Sequence, residues 1–212
     1  MNQSIPFKSG YITRLLSSAK ADTTWPERTA KCAHQIVKAV SFKETARSAF
    51  RKAENIPLSI IGNYYAVFHM EIAMLSIDYS VRLDQLNRMK HKRLENLVGS
   101  KFVSSGLFPK ELASILVELR KIRESVNYEF CLQETDLRSM MPKFERDVNT
   151  VFRFGFSFVD EIDKIITDRV PLRGWIQRRI GDSIGDDLYS SYLSKDDRLS
   201  VVSSLLCEGL TT

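Results

Sequence analysis

Apolar side chains recur every three or four residues along most of this chain, and strand-like alternation is nearly absent. This period places the apolar side chains on one side of an α-helix. Proline or glycine stands near several of the predicted boundaries, at Pro26, Pro57, Gly106 and Pro109. The sequence therefore predicts an all-α bundle of about five helices, over residues 26–56, 58–79, 91–104, 109–126 and 137–168.

The second predicted helix is apolar around much of its circumference. Tyr65, Phe68 and Ile72 share one side, and Met70 and Met74 lie on the other. We therefore expect this helix to be buried on most sides.

Two other segments leave the helix boundaries open. Ser41 and Glu44 fit a capping box that would restart the first helix. The run from Phe152 to Phe158 alternates as a strand does, but its strongly helical flanks favour helix.

Three regions follow from the pattern. Residues 1–24 form an N-terminal extension with one short helix at 12–20, residues 25–168 form the bundle, and residues 169–212 form a helical C-terminal tail. The last tail helix, 196–207, carries an apolar face, so it must pack on its own bundle, a twin subunit or another protein.

The bulk composition excludes several classes of protein. No uninterrupted apolar run reaches about 18 residues, so we expect no membrane span and a cytoplasmic protein. Cys32, Cys131 and Cys207 are far apart and odd in number, which predicts neither a disulfide framework nor a zinc site. We expect no metal and no cofactor, because no glycine-rich phosphate loop occurs and the acidic residues read as solvated positions.

The net charge of +5 is compatible with nucleic-acid binding, and its clustering matters more than its size. Basic residues cluster at 90–93, at 120–123 and from 169 to 179. A solvated helix face explains the first cluster well. The second cluster lies beside the most informative stretch of the chain.

That stretch is RESVNYEF (Arg123–Phe130), and an aromatic-rich segment, GNYYAVFHM (Gly62–Met70), precedes it by about fifty residues. Together with the order of the helices over about residues 41–167, these segments resemble the HEPN family. That family comprises helical-bundle domains of RNA-targeting nucleases, toxins and phage-defence systems. The resemblance implies a HEPN-like helical bundle and a homodimer that places two copies of the motif across a cleft.

Active HEPN domains carry an Arg followed four to six residues later by a His, and they cleave RNA without metal. This chain keeps Arg123, but Tyr128 stands at the His position and Asn127 precedes it. A tyrosine with a pKa near 10 is a poor base at neutral pH. The resemblance therefore implies Arg123 and Tyr128 as the catalytic candidates, in a module that is weakly catalytic or non-catalytic. Neither His69 nor His91 lies in the motif, and for His69 the sequence favours a partly buried, hydrogen-bonded role.

Arg120, Arg123 and Asn127 share one helical face and, with Lys121, form the predicted RNA-binding stripe. An equally weighted alternative pairs Arg123 with Glu124 or Glu54 at the helix end.

Three functions remain open at this point. The first is an RNA-binding or toxin–antitoxin or phage-defence module, with a nucleotidyltransferase or another defence protein as partner. The second is a metal-independent endoribonuclease, in which Arg123 holds the phosphate and Tyr128 or a His from another helix moves the proton. The third is a protein-interaction subunit without RNA.

Overall fold

Every regular element in the described part of the chain is helical, which confirms the all-α helical bundle. The computed structural model describes residues 10–11, 13–15, 17, 24–87, 89–126 and 134–165. The first described residues, 10–17 with gaps, are helical. Five longer helices follow: α1 Trp25–Ala53, α2 Ile56–Ile77, α3 His91–Val98, α4 Lys110–Glu124 and α5 Glu134–Ile165. A 3-10 turn, Leu83–Leu86, precedes α3, and a π-turn, Gly99–Val103, extends it.

The first helix is continuous, so the predicted restart at Ser41 is wrong. Glu44 lies inside α1 and pairs with Arg47, one turn further along, at 2.6 Å. The helix ends at Ala53, and Pro57 is the second residue of α2 rather than the end of α1. A proline fits there because the first turn of a helix has no internal partner for its N–H groups.

Two residues connect α1 to α2. Glu54 has a φ of 50°, the left-handed conformation that reverses the chain after a helix. The N–H of Asn55 donates to the carbonyl of Ala49 at 2.9 Å. The side chain of Asn55 then accepts from the N–H of Leu58 at 3.0 Å, which caps the start of α2.

Helix α2 is buried on nearly all sides, as its sequence predicted. Tyr64, Met70, Met74 and Leu75 are 0% exposed. By length and composition α2 is apolar enough to cross a membrane, and 83% of its apolar window is buried inside the structure. Such burial is what the core helix of a bundle shows.

Chain contacts divide the protein into two compact units. One unit holds the described residues up to Val37, those from Ile72 to Asn87 and those from Arg153 onward. The other unit holds Lys38–Glu71 and the described part of Met89–Phe152. The segment from Phe152 to Phe158 lies within α5 and is helical, as its flanks predicted.

The first unit contains an arginine that caps the C-terminus of α2. Arg28 is 4% exposed and donates to the carbonyls of Ser76, Asp78 and Val81 at 3.2, 3.2 and 3.0 Å. Its guanidinium also lies 4.7 Å from the ring centroid of Tyr79. Because the last carbonyls of a helix have no internal partner, one buried cation stabilises the helix end and the turn after it.

Candidate anion-binding site around Arg123

Three helices of the second unit bring an arginine, two tyrosines and a histidine together. Tyr64 and Tyr65 come from α2, His91 is the first residue of α3, and Arg123 lies in the last turn of α4. The sequence separates these residues by as many as 59 positions, so only the packing of the helices unites them.

Arg123 is buried but incompletely paired. The residue is 8% exposed, and its guanidinium carbon lies 4.9 Å from the ring centroid of Tyr64. One terminal nitrogen is 3.5 Å from the hydroxyl of Tyr65, and the other is 3.7 Å from a carboxylate oxygen of Glu124. Its Nε has no hydrogen-bond partner among the described residues. A buried guanidinium with an unused donor is unfavourable unless an anion or water completes it.

Tyr64 links Arg123 to His91. The Tyr64 hydroxyl is hydrogen-bonded to Nδ1 of His91. Burial raises the pKa of Tyr64 above its usual value, which keeps the phenol protonated. Burial, followed by the positive charge of Arg123, lowers the pKa of His91 below 6.5.

These two shifts leave both groups neutral at neutral pH. The hydrogen bond then has two directions open to it: the Tyr64 phenol donates to Nδ1 of His91, or the Nδ1–H of His91 donates to the phenol oxygen. In the first arrangement the ring proton of His91 lies on Nε2, from which it can donate to an anion.

The residues of the predicted RNA-binding stripe differ in whether carboxylates already pair with them. Arg120 donates from Nε to Glu95 at 2.5 Å and from one terminal nitrogen to both oxygens of Glu124 at 2.9 Å. Two carboxylates thus neutralise Arg120, while Lys121 is exposed. Asn127 and Tyr128, the other predicted residues of the motif, lie outside the described residues.

Of the two carboxylates in the alternative pairing of Arg123, Glu124 lies near it and Glu54 pairs elsewhere. Glu124 is near Arg123 but makes its closer contacts with Arg120, at 2.9 Å against 3.7 Å. Glu54 instead pairs with Arg138 at 3.4 Å.

The start of α3 adds positive potential beside His91. Lys90 stands at the N-cap without a side-chain cap, and the first turn contains no acidic residue. The exposed side chains of Lys92 and Arg93 follow, and Lys92 pairs with Glu95 at 3.4 Å. Cations are unfavourable at a helix N-terminus, where the unpaired N–H groups and the helix dipole favour anions. The local sequence is therefore suited to a negatively charged ligand rather than to the stability of α3.

His69 belongs to an aromatic cluster on the next turns of α2. Its ring stacks on Phe42 with centroids 5.3 Å apart and planes at 9°, and Tyr65 lies 6.3 Å away. It is half-buried there. This packing agrees with the partly buried position that the sequence favoured for His69.

Sequence reasoning found Arg123 but missed Tyr64 and His91 as its neighbours. Tyr64 was visible only as half of a Tyr-Tyr pair, and His91 only as a histidine beside basic residues. The one available signal was the basic first turn of α3, which a helix does not need for its own stability.

No protein-family model, curated protein or solved structure matches this chain. Within the described ranges no group of three His, Cys, Asp or Glu side chains is arranged to hold a metal ion. The arrangement of side chains around Arg123 therefore carries the functional proposal below.

Proposed function

We propose that this protein is an RNA-binding module of HEPN-like type, non-catalytic at neutral pH, whose Arg123 site binds a backbone phosphate. The unused Nε donor of Arg123, buried beside Tyr64 and Tyr65, is the observation that carries the proposal. A phosphate oxygen would complete the donor set of the guanidinium and offset its burial.

The surroundings of Arg123 favour the same ligand. When Tyr64 donates to Nδ1, His91 presents its Nε2 proton, and the uncapped start of α3 adds orphan N–H groups and the charge of Arg93. The half-buried Tyr65, whose ring stacks on Phe42, adds an aromatic group of the kind on which bases stack in single-stranded RNA.

In the tautomer that we propose, the Tyr64 phenol donates to Nδ1 of His91, which favours binding over cleavage. Metal-independent cleavage of RNA needs a base for the 2′-hydroxyl proton. The lone pair that His91 would use is held by the Tyr64 hydroxyl. The homodimer and the nucleotidyltransferase or other defence-system partner come from the HEPN resemblance alone, and the cytoplasmic location comes from the lack of a long apolar run in the sequence. All three stay predictions.

A gel-shift titration of end-labelled single-stranded RNA in EDTA tests the proposal. Arg123→Gln should weaken binding at least about tenfold, since a charge-assisted hydrogen bond contributes about 1.5–3 kcal/mol. Lys52→Gln removes the same charge from an exposed position of α1 and should change binding by less than about threefold. The affinity of the wild-type protein for RNA should fall steeply between about 50 and 200 mM salt.

Two results would overturn the proposal. Equal weakening in both variants would mean that only net charge attracts the RNA. Cleavage that survives EDTA and disappears in His91→Asn would make the protein a metal-independent endoribonuclease.

A further inference from the structure

Glu124 places a carboxylate beside Arg123, in a position that the stability of α4 does not favour. It is the last residue of α4, where the helix dipole favours cations over carboxylates. Its side chain is 39% exposed, and one of its oxygens lies 3.7 Å from a terminal nitrogen of Arg123. A carboxylate at this place competes with a phosphate for the donors of Arg123.

Arg120 holds this carboxylate away from Arg123. One terminal nitrogen of Arg120 donates to both oxygens of Glu124 at 2.9 Å. The 3.7 Å between Glu124 and Arg123 is longer than a hydrogen bond. Because the same carboxylate lies within reach of both guanidinium groups, its pairing with Arg120 leaves the donors of Arg123 for another anion.

Glu95 in turn fixes the position of Arg120. Its side chain comes from α3, is 6% exposed, and accepts from the Nε of Arg120 at 2.5 Å. The donors of a guanidinium lie in one rigid plane, so a bond through Nε also orients the terminal nitrogens. Glu95, Arg120 and Glu124 therefore form a hydrogen-bonded chain that ends beside Arg123.

We infer that Arg120 is a positioning residue of the Arg123 site, which keeps Glu124 off Arg123 so that Arg123 can bind a phosphate. The inference rests on the proposed RNA binding, and it gives Arg120 a different role from the direct RNA contact that the sequence predicted. Without Arg120, a movement of about 0.8 Å would bring Glu124 from 3.7 Å to within 2.9 Å of Arg123, the distance that it now keeps from Arg120.

The test repeats the gel-shift titration of single-stranded RNA in EDTA with variants of α4. Arg120→Gln should raise the Kd by about 2- to 10-fold, since the released Glu124 then competes for Arg123. Glu124→Gln should leave the Kd unchanged or lower it. The double variant Arg120→Gln/Glu124→Gln should return to within about twofold of the wild type, because it has no carboxylate at this position.

The double variant Arg120→Gln/Glu111→Gln is the matched control. Glu111 is exposed in the first turn of the same helix. Both double variants have the net charge of the wild type, and both leave Glu95 without Arg120. The control should keep most of the weakening caused by Arg120→Gln. A difference between the two double variants therefore reports the position of Glu124 rather than net charge or local folding.

Arg120→Lys keeps the test open if Arg120→Gln does not fold, and urea unfolding of each variant checks this. Lysine leaves a positive charge beside the buried Glu95 but lacks the planar set of donors that orients Arg120 towards Glu124. It should weaken RNA binding at unchanged net charge, and adding Glu124→Gln should restore the affinity.

The outcomes separate this inference from the proposed function. If Arg123→Gln weakens RNA binding but Arg120→Gln binds as the wild type does, Arg120 has no positioning role. If the two double variants bind equally weakly, Arg120 contacts the RNA itself, which also overturns the inference and leaves the proposed function standing. If Arg123→Gln binds RNA as the wild type does, the proposed function fails and the inference with it.

Discussion

Glu71 makes the stability of this protein depend on pH in a direction opposite to that of most carboxylates. The residue is 2% exposed, and one of its oxygens has no hydrogen-bond partner among the described residues. Burial, and then the negative charge of Glu95, raise its pKa well above the ordinary value of 4.5. Glu71 is therefore protonated in the folded state over a pH range in which the unfolded chain has lost that proton.

The sign and the size of the effect follow from proton linkage. Because the folded pKa is the higher one, the stabilisation is fully present below the unfolded pKa and is lost as the pH rises towards the folded pKa. Within that window, which starts near pH 4.5, the free energy of unfolding falls by about 1.4 kcal/mol per pH unit.

Glu71→Gln removes this titration, because an amide stays neutral at every pH. The variant should therefore gain about 1.4 kcal/mol relative to the wild type for each pH unit within the window. Urea unfolding from about pH 5 upward measures the difference at each pH. Comparing slopes cancels the constant cost of fitting an amide into the site.

Glu111→Gln is the matched control. Glu111 is exposed in the first turn of α4, so its replacement should lower the free energy of unfolding by at most about 1 kcal/mol. A constant difference between Glu71→Gln and the wild type across this range would refute the reasoning, and so would a variant that loses stability as the pH rises.

Further substitutions probe packing, capping and charge. Gly62→Ala should lower the free energy of unfolding by about 1–3 kcal/mol, because the added Cβ would lie 2.8 Å from the Cβ of Ala46. The Cβ added by Gly99→Ala would have nothing within 4 Å, so this variant should raise the free energy of unfolding by about 0.5–1 kcal/mol. Urea unfolding measures the change in both glycine variants. Arg28→Lys should lower the free energy of unfolding by about 1.5–3 kcal/mol in the same assay, because an ammonium cannot reproduce the guanidinium bonds to three carbonyls. An unchanged midpoint of urea unfolding would contradict the capping role. Arg123→Gln should raise the pKa of His91 towards 6.5, because it removes a nearby positive charge. NMR titration of the ring protons measures this pKa, and an unchanged value would show that Arg123 does not act on His91.

The sequence predicted the helices well because their burial is periodic. The seam of α4 steps by three and four residues, and the structure buries Leu112, Ile115, Leu119 and Ile122. The same periodicity did not predict which of Tyr64 and Tyr65 is the more deeply buried. Tyr65 fits the seam better, yet Tyr64 is the fully buried one, because Tyr65 lies with Ile61 and His69 on the partly exposed side of α2.

Partners distant in the sequence explain what could not be predicted at the site. Arg120 looked available beside Arg123, but Glu95, 25 residues earlier, lies 2.5 Å from it. His91 likewise reaches Tyr64 across 27 residues. Such pairings depend on how helices pack, and the periodicity of one helix carries no information about the charges on the next.

The close approach at Gly62 also constrains how this protein can change over time. A Cβ at position 62 would lie 2.8 Å from the Cβ of Ala46 and 2.9 Å from the carbonyl oxygen of Phe42. One of these neighbours is backbone, which no side-chain replacement can shorten. Descendants of this chain should therefore keep glycine at 62 as long as α1 and α2 keep their spacing. A lineage that replaced it would first have to move the two helices apart.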